Sequence, residues 1–546
     1  MRRRATDLLV FSLVLALALG FALYTRHSWE DWFIAFRSSR NLAAGNGLVY
    51  TPGERVQAFS SPLGALVPAL LALALPGAGD DTVLWLYRAL GAALLAGAAV
   101  LLARVCRCAG LGAFPAAVAV ALLATDAKTL DFSVNGMETP FMLAFLAATL
   151  YVLACPVRRF VPTLGLCWAA LLWTRPDSFV YFVGIALGYL AFLPPSPHFA
   201  TRRELLGKLL RAAPIAAAFY APWVAWAWIY YGSPVPHSIV AKGLHLQGAL
   251  PALAAKLATF PLHLPFGGPA ADTFLPPLHW LGGWPGWLAP AGATVALGCA
   301  YGWLVPWLPR LGRALSFALC LAYFYLSNVV TFVGAWYIPS VTLLCALVIG
   351  SAAHAGEAAL ARRAPGEGRP WPRRVGLAAV RAALGALLLA GAGLTVAVAR
   401  EVKVQQEVVE DQGRRQVGAW LARNAASPRD TVFLEPLGYI GYHSGLKMYD
   451  FPGIASPEVV RARRALGTDD FAPLIARLEP DWLVLRPAEI AAVEAQAPAL
   501  LAGRYAVAQV FDLTALLAPH RDLPGFPLLD WDRVLVVYRR RPAGGR

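Results

Sequence analysis

Apolar stretches long enough to cross a bilayer recur along this chain from Leu8 to Val398, divided by short polar segments. A bilayer core is about 30 Å thick and takes roughly 20 apolar residues per helix. Inside it every backbone N–H and C=O must be bonded within the segment, which makes each run a helix. With 58% of the 546 residues apolar and 14% charged, a single large soluble enzyme is excluded. The 48 glycines follow no G-x-y period, so a collagen-like chain is excluded as well. The expected fold class is an α-helical polytopic membrane protein.

The net charge of +15 would suggest nucleic acid in a soluble protein, but its location argues otherwise. From Arg400 onward there are 19 basic and 18 acidic residues, so the excess belongs to the apolar part. There it gathers in clusters between the runs, at Arg2 to Arg4, Arg104/Arg107, Arg158/Arg159, Arg202 to Arg211, Arg310/Arg313 and Arg362 to Arg381. This is positive-inside topology, and the expected partner is the bilayer, with no nucleic acid. The seven cysteines lie within or beside apolar runs and imply no disulfide framework.

The first run, Leu8 to Tyr24 behind MRRR, has the outline of a signal peptide but is long for one, and is read as a first span. Pro62 to Leu75 is only 14 residues, contains Pro68 and has no basic cluster after it, which suits an interfacial helix. Spans are then expected near 8–25, 82–103, 112–125, 138–155, 161–174, 177–194, 212–230, 284–305, 314–331, 338–355 and 376–399, eleven in all. An odd count with the N-terminus in the cytoplasm puts everything after Arg400 outside. Short β-branched runs at Thr431 to Leu434, Trp482 to Leu485, Tyr505 to Phe511 and Val534 to Tyr538 predict strands there. The expected organisation is a transmembrane catalytic module over 1–399, a helical linker over 400–425 and a small extracytoplasmic α/β domain over 426–546.

Polar groups gather on the outer side, where charge near a span draws functional suspicion. Glu30 and Asp31 stand between tryptophans after the first span. Asp126, Lys128, Asp131 and Glu138 follow in the second outer loop, then Arg175 and Asp177, then His237 and Lys242. Each has an ordinary alternative. Trp29 and Trp32 suit an interfacial belt, Glu138 a helix N-terminus, and Arg175 and Lys242 can snorkel to headgroups. What favours chemistry is the convergence of acids and cations from four loops, as a base and an anion-stabilising group require.

Four segments also resemble a known family. WEDWFIAFRSSRNLAAGNGLVYTPGERVQAFSSPLGALVPALLAL, from Trp29 to Leu73, resembles the first outer loop of GT-C superfamily glycosyltransferases. VNGMETPFMLAFLAATL, LLWTRPDSFV and YYGSPVPHSIVAKG resemble that family's later segments, in its order. Gly334-Ala-Trp-Tyr-Ile-Pro339 is weakly similar to its late W-Y-x-x-P. LGYIGYHSGLKMYDFPGIASPEVV resembles a stretch found after the spans in relatives of arabinofuranosyl- and mannosyltransferases. Glu30 replaces the first of two aspartates, Gln57 an acid, and His237 a common asparagine, which leaves the sugar unassigned.

The resemblance implies an inverting transferase at the outer face of the cytoplasmic membrane. Its donor would be a polyprenyl-phosphate-linked sugar and its acceptor an envelope glycan, lipid or protein. It makes Asp31 the base, set between Trp29 and Phe33, with Glu30 as neighbour and substitute. Arg175, Lys242, Lys128 and His237 would face the donor phosphate, and Glu138, Asp131, Asp126 and Arg37 the substrate. The Pro- and aromatic-rich stretch Leu244 to Trp287 is expected to line a lipid groove. The two carboxylate loops, at Glu30/Asp31 and at Asp126 to Glu138, could hold a divalent ion through oxygen ligands, but neither has D-x-D or His-rich spacing, so no cofactor is expected to be required. A transporter of lipid-linked sugars is the alternative; it commonly carries inverted repeats, and none is evident here. The 426–546 domain is expected to orient acceptor without supplying catalytic groups.

Overall fold

A computed structural model describes residues 2–243, 250–362 and 371–542; residues 244–249 of the expected lipid groove and Arg363 and Arg369 of the basic cluster after Arg362 lie outside the described residues. Helix α1 (Arg2–Thr25) leads to the amphipathic α2 (Glu30–Ala43), the short α3 (Pro62–Ala74) and the long α4 (Asp80–Cys108). Then come α5 (Ala113–Ala124), α6 (Ala127–Val134), α7 (Thr139–Ala154), α8 (Phe160–Thr174), α9 (Phe179–Phe192) and α10 (Arg202–Tyr231). Short helices α11 (His237–Lys242), α12 (Leu250–Ala258) and α13 (Gly268–Asp272) precede α14 (Leu288–Tyr301), α15 (Arg310–Asn328), α16 (Ile338–Arg362) and α17 (Trp371–Val404).

Every expected span coincides with a helix, but the expected count of eleven spans is not reproduced by length. Among the described residues five helical stretches are long and apolar enough to cross a membrane: Arg4–Thr25, Asp80–Cys108, Arg202–Tyr231, Ala335–Leu360 and Val375–Asn424. A sixth arises if α5 and α6, bent by 55° against each other, make one broken span. Several others, including α7, α8 and α14, are apolar but shorter. The Pro62 helix is 13 residues, about 20 Å at 1.5 Å per residue, and its start is fixed by the Ser61 hydroxyl accepting from the Gly64 N–H at 2.9 Å. It does not span.

Lipid offers apolar side chains as good a home as a neighbouring helix does, so packing here rests on close approach of small residues. Helix α4 buries Gly91, Ala92, Leu95, Ala96, Ala99 and Ala103 against α1 and α7. At its far end Cys108 meets Cys155 in a disulfide with Cα atoms 5.5 Å apart. This corrects the expectation of no disulfide: parallel packing of α4 and α7 brings their C-terminal ends together, and with them two thiols that are 47 residues apart in sequence.

Helix α17 runs on through a π-helical stretch, Gln405–Arg414, into α18 (Arg415–Asn424). Beyond it lies a five-stranded mixed sheet of order β2-β1-β3-β5-β4. Strands β1 (Thr431–Leu434), β2 (Lys447–Asp450) and β3 (Trp482–Leu485) are parallel, while β5 (Val534–Arg540) runs antiparallel to β3 and to β4 (Tyr505–Asp512). Strand β2, Lys-Met-Tyr-Asp, lacks the β-branched run that marks the other four. Helices α19 (Leu437–Ser444), α20 (Pro457–Leu466) and α21 (Phe471–Leu478) cover the sheet.

This layer sits directly on α2. Arg37 donates to the Gly441, Gly445 and Leu446 carbonyls at 2.6, 2.9 and 2.9 Å, and its guanidinium lies 4.3 Å from the Tyr50 ring. The Tyr439 hydroxyl donates to the Ser28 carbonyl at 3.0 Å. Gly438 touches the Glu30 backbone so closely that a Cβ there would collide with the Glu30 carbonyl, which makes glycine a requirement of the contact.

Candidate active site

The N-terminus of α2 is pinned before any charge is placed. The Trp29 N–H donates to the Asn135 carbonyl at 3.0 Å. The adjoining Gly136 has φ +102 and leaves room for Trp32, which a Cβ would meet at 2.7 Å. Arg88, buried on α4, donates through Nη2 to the Arg26 and His27 carbonyls, both at 2.6 Å, and through Nε to the Val134 carbonyl at 3.1 Å. Asp131 accepts from Asn135 Nδ2 at 3.0 Å and pairs with His27 Nδ1 at 2.8 Å. The loop after α1 and the turn before α7 are therefore one rigid unit.

That unit walls a cleft of about 130 Å³. At the ~10–15 Å³ a water needs on this measure, the space is of the order of ten waters, or one sugar ring. Asp31 enters from α2, Ser60 and Ser61 from the start of α3, and Glu138 from the start of α7. Arg175 and Asp177 enter from the α8–α9 link, Lys242 from α11, and Trp336 and Tyr337 from the start of α16. The motif-derived group of Asp31, Glu138, Arg175 and Lys242 is thus assembled in one place, from segments up to 211 residues apart.

Their states differ. Among the described residues the Asp31 carboxylate has no hydrogen-bond or ion-pair partner. Burial pushes its pKa above the ordinary aspartate value, against the pull of Lys242 and Arg175. Arg175 is held by two acids, Nη1 to Glu138 at 2.9 Å and Nε and Nη2 to Asp177 at 3.0 Å, with Tyr337 4.2 Å beneath it. Burial works against its charge, but Asp177, Tyr337 and Glu138 more than offset that. Lys242 is half-buried, with Nζ 5.5 Å from the Trp336 ring and no carboxylate at ion-pair distance among the described residues. It is the cleft's unneutralised cation.

The other sequence candidates lie elsewhere. Glu30 turns away from Asp31 to receive Arg414 Nη1 and the Gly438 N–H, because α19 and the π-helical stretch dock on that face of α2. It is not available as a substitute base. Arg37 is consumed by the carbonyls at the end of α19, and Asp131 by His27 and Asn135. Asp126 caps α6, accepting from the Thr129 N–H at 2.8 Å. Lys128 is buried, donates to the Leu275 carbonyl and lies 3.6 Å from Asp126. His237 begins α11 outside the cleft lining; burial lowers its pKa although the Gly453 backbone opposes this. Phe33 packs on Tyr439 and Tyr442, with ring centroids at 4.2 and 5.2 Å, so Trp32 and Trp336 replace it as the aromatic lining. The 426–542 region contributes only Ile454 to the cleft.

Two groups of residues escaped sequence reasoning. Trp336 and Tyr337 were marked only through the late W-Y motif. Arg88 carries a plain signal, a lone arginine in an apolar run. Among the described residues no group of three or more His, Cys, Asp or Glu is placed to hold a metal ion.

Comparison with known proteins adds three findings. Residues 400–533 match a family described as a domain of unknown function (DUF8728). The chain is 29% identical over 245 residues, 39% of its length, to a terminal beta-(1->2)-arabinofuranosyltransferase of Corynebacterium glutamicum, spanning about a third of that relative (32%). Among solved structures it is similar to ArnT from Cupriavidus metallidurans bound to undecaprenyl phosphate, at 14% identity, 99% and 98% coverage of the two chains and a TM-score of 0.48. It is also similar to the archaeal oligosaccharyltransferase AglB from Archaeoglobus fulgidus, at 13% identity, 88% and 69% coverage and a TM-score of 0.48. The chain is a multi-pass membrane protein whose sequence resembles GT-C glycosyltransferases, and the arabinofuranosyltransferase match is consistent with that superfamily.

Proposed function

We propose that the chain transfers a sugar from a polyprenyl-phosphate donor to a hydroxyl of a cell-envelope glycan, lipid or protein at the outer face of the cytoplasmic membrane. The observation that carries this reading is the Asp31 carboxylate, unpartnered among the described residues, in a sugar-sized cleft that also contains Lys242. An acceptor hydroxyl is a weak nucleophile. In the proposed step its oxygen bonds to C1 of the sugar as the C1–O bond to phosphate breaks. Asp31 takes the hydroxyl proton, and the electron pair leaves on the polyprenyl phosphate.

The departing phosphate gains charge in the transition state, so a cation facing it accelerates the reaction by more than it aids binding. Lys242 fills this role first, because Arg175 already answers to Glu138 and Asp177. Arg175 orders those two acids around the sugar hydroxyls and adds charge from behind. Attack from the side of Asp31 opposite the phosphate inverts C1, and no metal is invoked. The N-terminus is cytoplasmic, and the 426–546 domain stands outside, closing over α2 and orienting acceptor.

Incubating the purified chain with polyprenyl-phosphate sugars labelled in the sugar, together with envelope extract as acceptor, tests this. Free polyprenyl phosphate and labelled acceptor should form in equal amounts. A chain that only moves the intact lipid-linked sugar between leaflets would release neither.

A further inference from the structure

A second groove, of about 520 Å³, lies on the other side of Lys242, between α11 and α20, and shares Lys242 and Gly243 with the cleft. Its charges can be assigned one by one. Arg463 is committed: Nε donates to Asp469 Oδ1 at 2.7 Å, and Nη1 donates to the Ala241 and Pro452 carbonyls at 2.9 and 2.8 Å, tying α20 to α11. Asp469, the acid in the groove lining, is thereby neutralised. Nearby Glu458 is taken by Lys447 at 2.8 Å. Arg464, the next residue on α20, is exposed and has no carboxylate at ion-pair distance among the described residues. An exposed arginine is ordinarily a solvated surface residue. Here it lines a groove that shares Lys242 with the donor cleft, so the groove stays net positive through Arg464 even when Lys242 faces the donor phosphate, and it opens beside the cleft that holds Asp31.

We propose that this groove binds an anionic group of the acceptor, a phosphate or phosphodiester carried on a sugar, and so presents a hydroxyl of the same molecule to Asp31. The word acceptor rests on the transferase reading above; the binding of a phosphorylated sugar does not. A guanidinium offers phosphate two parallel charge-assisted donors, and Lys242 adds a point charge at the junction of the two spaces.

The test is a calorimetric titration of the purified full-length chain, saturated with undecaprenyl phosphate to fill the cleft, with glucose 6-phosphate and separately with glucose. The wild type should bind glucose 6-phosphate saturably and glucose at least about tenfold more weakly. Arg464→Ala should weaken glucose 6-phosphate about tenfold and Arg464→Glu should abolish it, while Arg464→Lys keeps most of the affinity. Because Arg464 is exposed and without an ion-pair partner among the described residues, these variants keep the fold, which their melting curves check. Equal binding by wild type and Arg464→Glu, or equal binding of the two sugars, overturns the proposal. The titration is repeated in nanodiscs of phosphatidylcholine with and without phosphatidylglycerol. Unchanged affinity supports an acceptor site, whereas competition by phosphatidylglycerol reassigns the groove to lipid headgroups and overturns it. If binding depends on Arg464 but no polyprenyl phosphate is ever released, the transferase reading fails and the anion site stands.

Discussion

Glu30 and Asp31, consecutive at the start of α2, serve opposite sides of that helix: Glu30 receives Arg414 and the Gly438 N–H, and Asp31 opens into the cleft. Neighbouring helical residues project about 100° apart, enough to send one carboxylate into the layer above and the other into the space beneath. Arg414 also holds Glu410 and Asp532, and Arg486 reaches the same Asp532. Burial would raise the pKa of Asp532, but the two guanidinium groups hold it down to about 2. The proposed base is therefore carried on a helix whose first residue is clamped by a buried ionic network.

Glu30→Gln should consequently act on stability. Arg414 keeps Glu410 and Asp532, so the expected cost is that of one buried charged hydrogen bond, about 1–3 kcal/mol. This would be read as a lower melting temperature in detergent, with turnover per folded molecule changed only a few-fold. Lost turnover at unchanged stability would contradict the division between the two acids.

The two cations of the cleft should differ in the same way. Lys242→Ala should reduce donor turnover more than Arg175→Ala per folded molecule, since Lys242 has no acid to answer to among the described residues. Arg175→Ala leaves Glu138 and Asp177 facing each other unpaired and should also lower the folded yield. Arg175→Lys should restore only part of the yield, because an ammonium cannot serve two carboxylates with a planar fork. Single-turnover rates and size-exclusion yields of the three variants decide the order.

The raised pKa of Asp31 sets a direction with pH. As a base it works deprotonated, so kcat/KM should rise with pH through a limb above the ordinary aspartate range and then level off. Between 3.8 and the raised value the folded chain binds more protons than the unfolded one, so this group's contribution to stability falls as pH rises. Asp31→Asn should lose the limb and be no less stable than wild type at neutral pH. A limb that survives in Asp31→Asn belongs to another group.

Much of this arrangement was legible in the residues, for definite reasons. The positions of the apolar helices were, because apolar runs mark them directly, although the number that cross was not. Asp31, Glu138, Arg175 and Lys242 were, because each sits in a motif at the end of a helix. The fates of Glu30, Arg37, Asp131 and Lys128 were not. Their partners, Arg414, the Gly441 to Leu446 carbonyls, His27 and the Leu275 carbonyl, lie up to 409 residues away, and nothing local separates a carboxylate that will be clamped from one that will stay open. Strand β2 escaped because Lys447-Met-Tyr-Asp450 owes its place to pairing with β1, not to propensity.

Topology offers an independent check. In a cysteine-free background, Ser427→Cys should react with an impermeant thiol reagent in intact cells and Arg310→Cys should react only after lysis. The opposite pattern would place the cleft on the cytoplasmic face and remove its access to an outer-leaflet donor.

The most direct test of the central claim is single turnover of a labelled polyprenyl-phosphate sugar by Asp31→Asn and wild type at equal folded concentration. The substitution keeps the shape and removes the proton acceptor. Release of polyprenyl phosphate should fall by about 10²- to 10⁴-fold with donor affinity retained. Near-normal release by Asp31→Asn would contradict the account, since among the described residues no other carboxylate lining the cleft stands free of a partner.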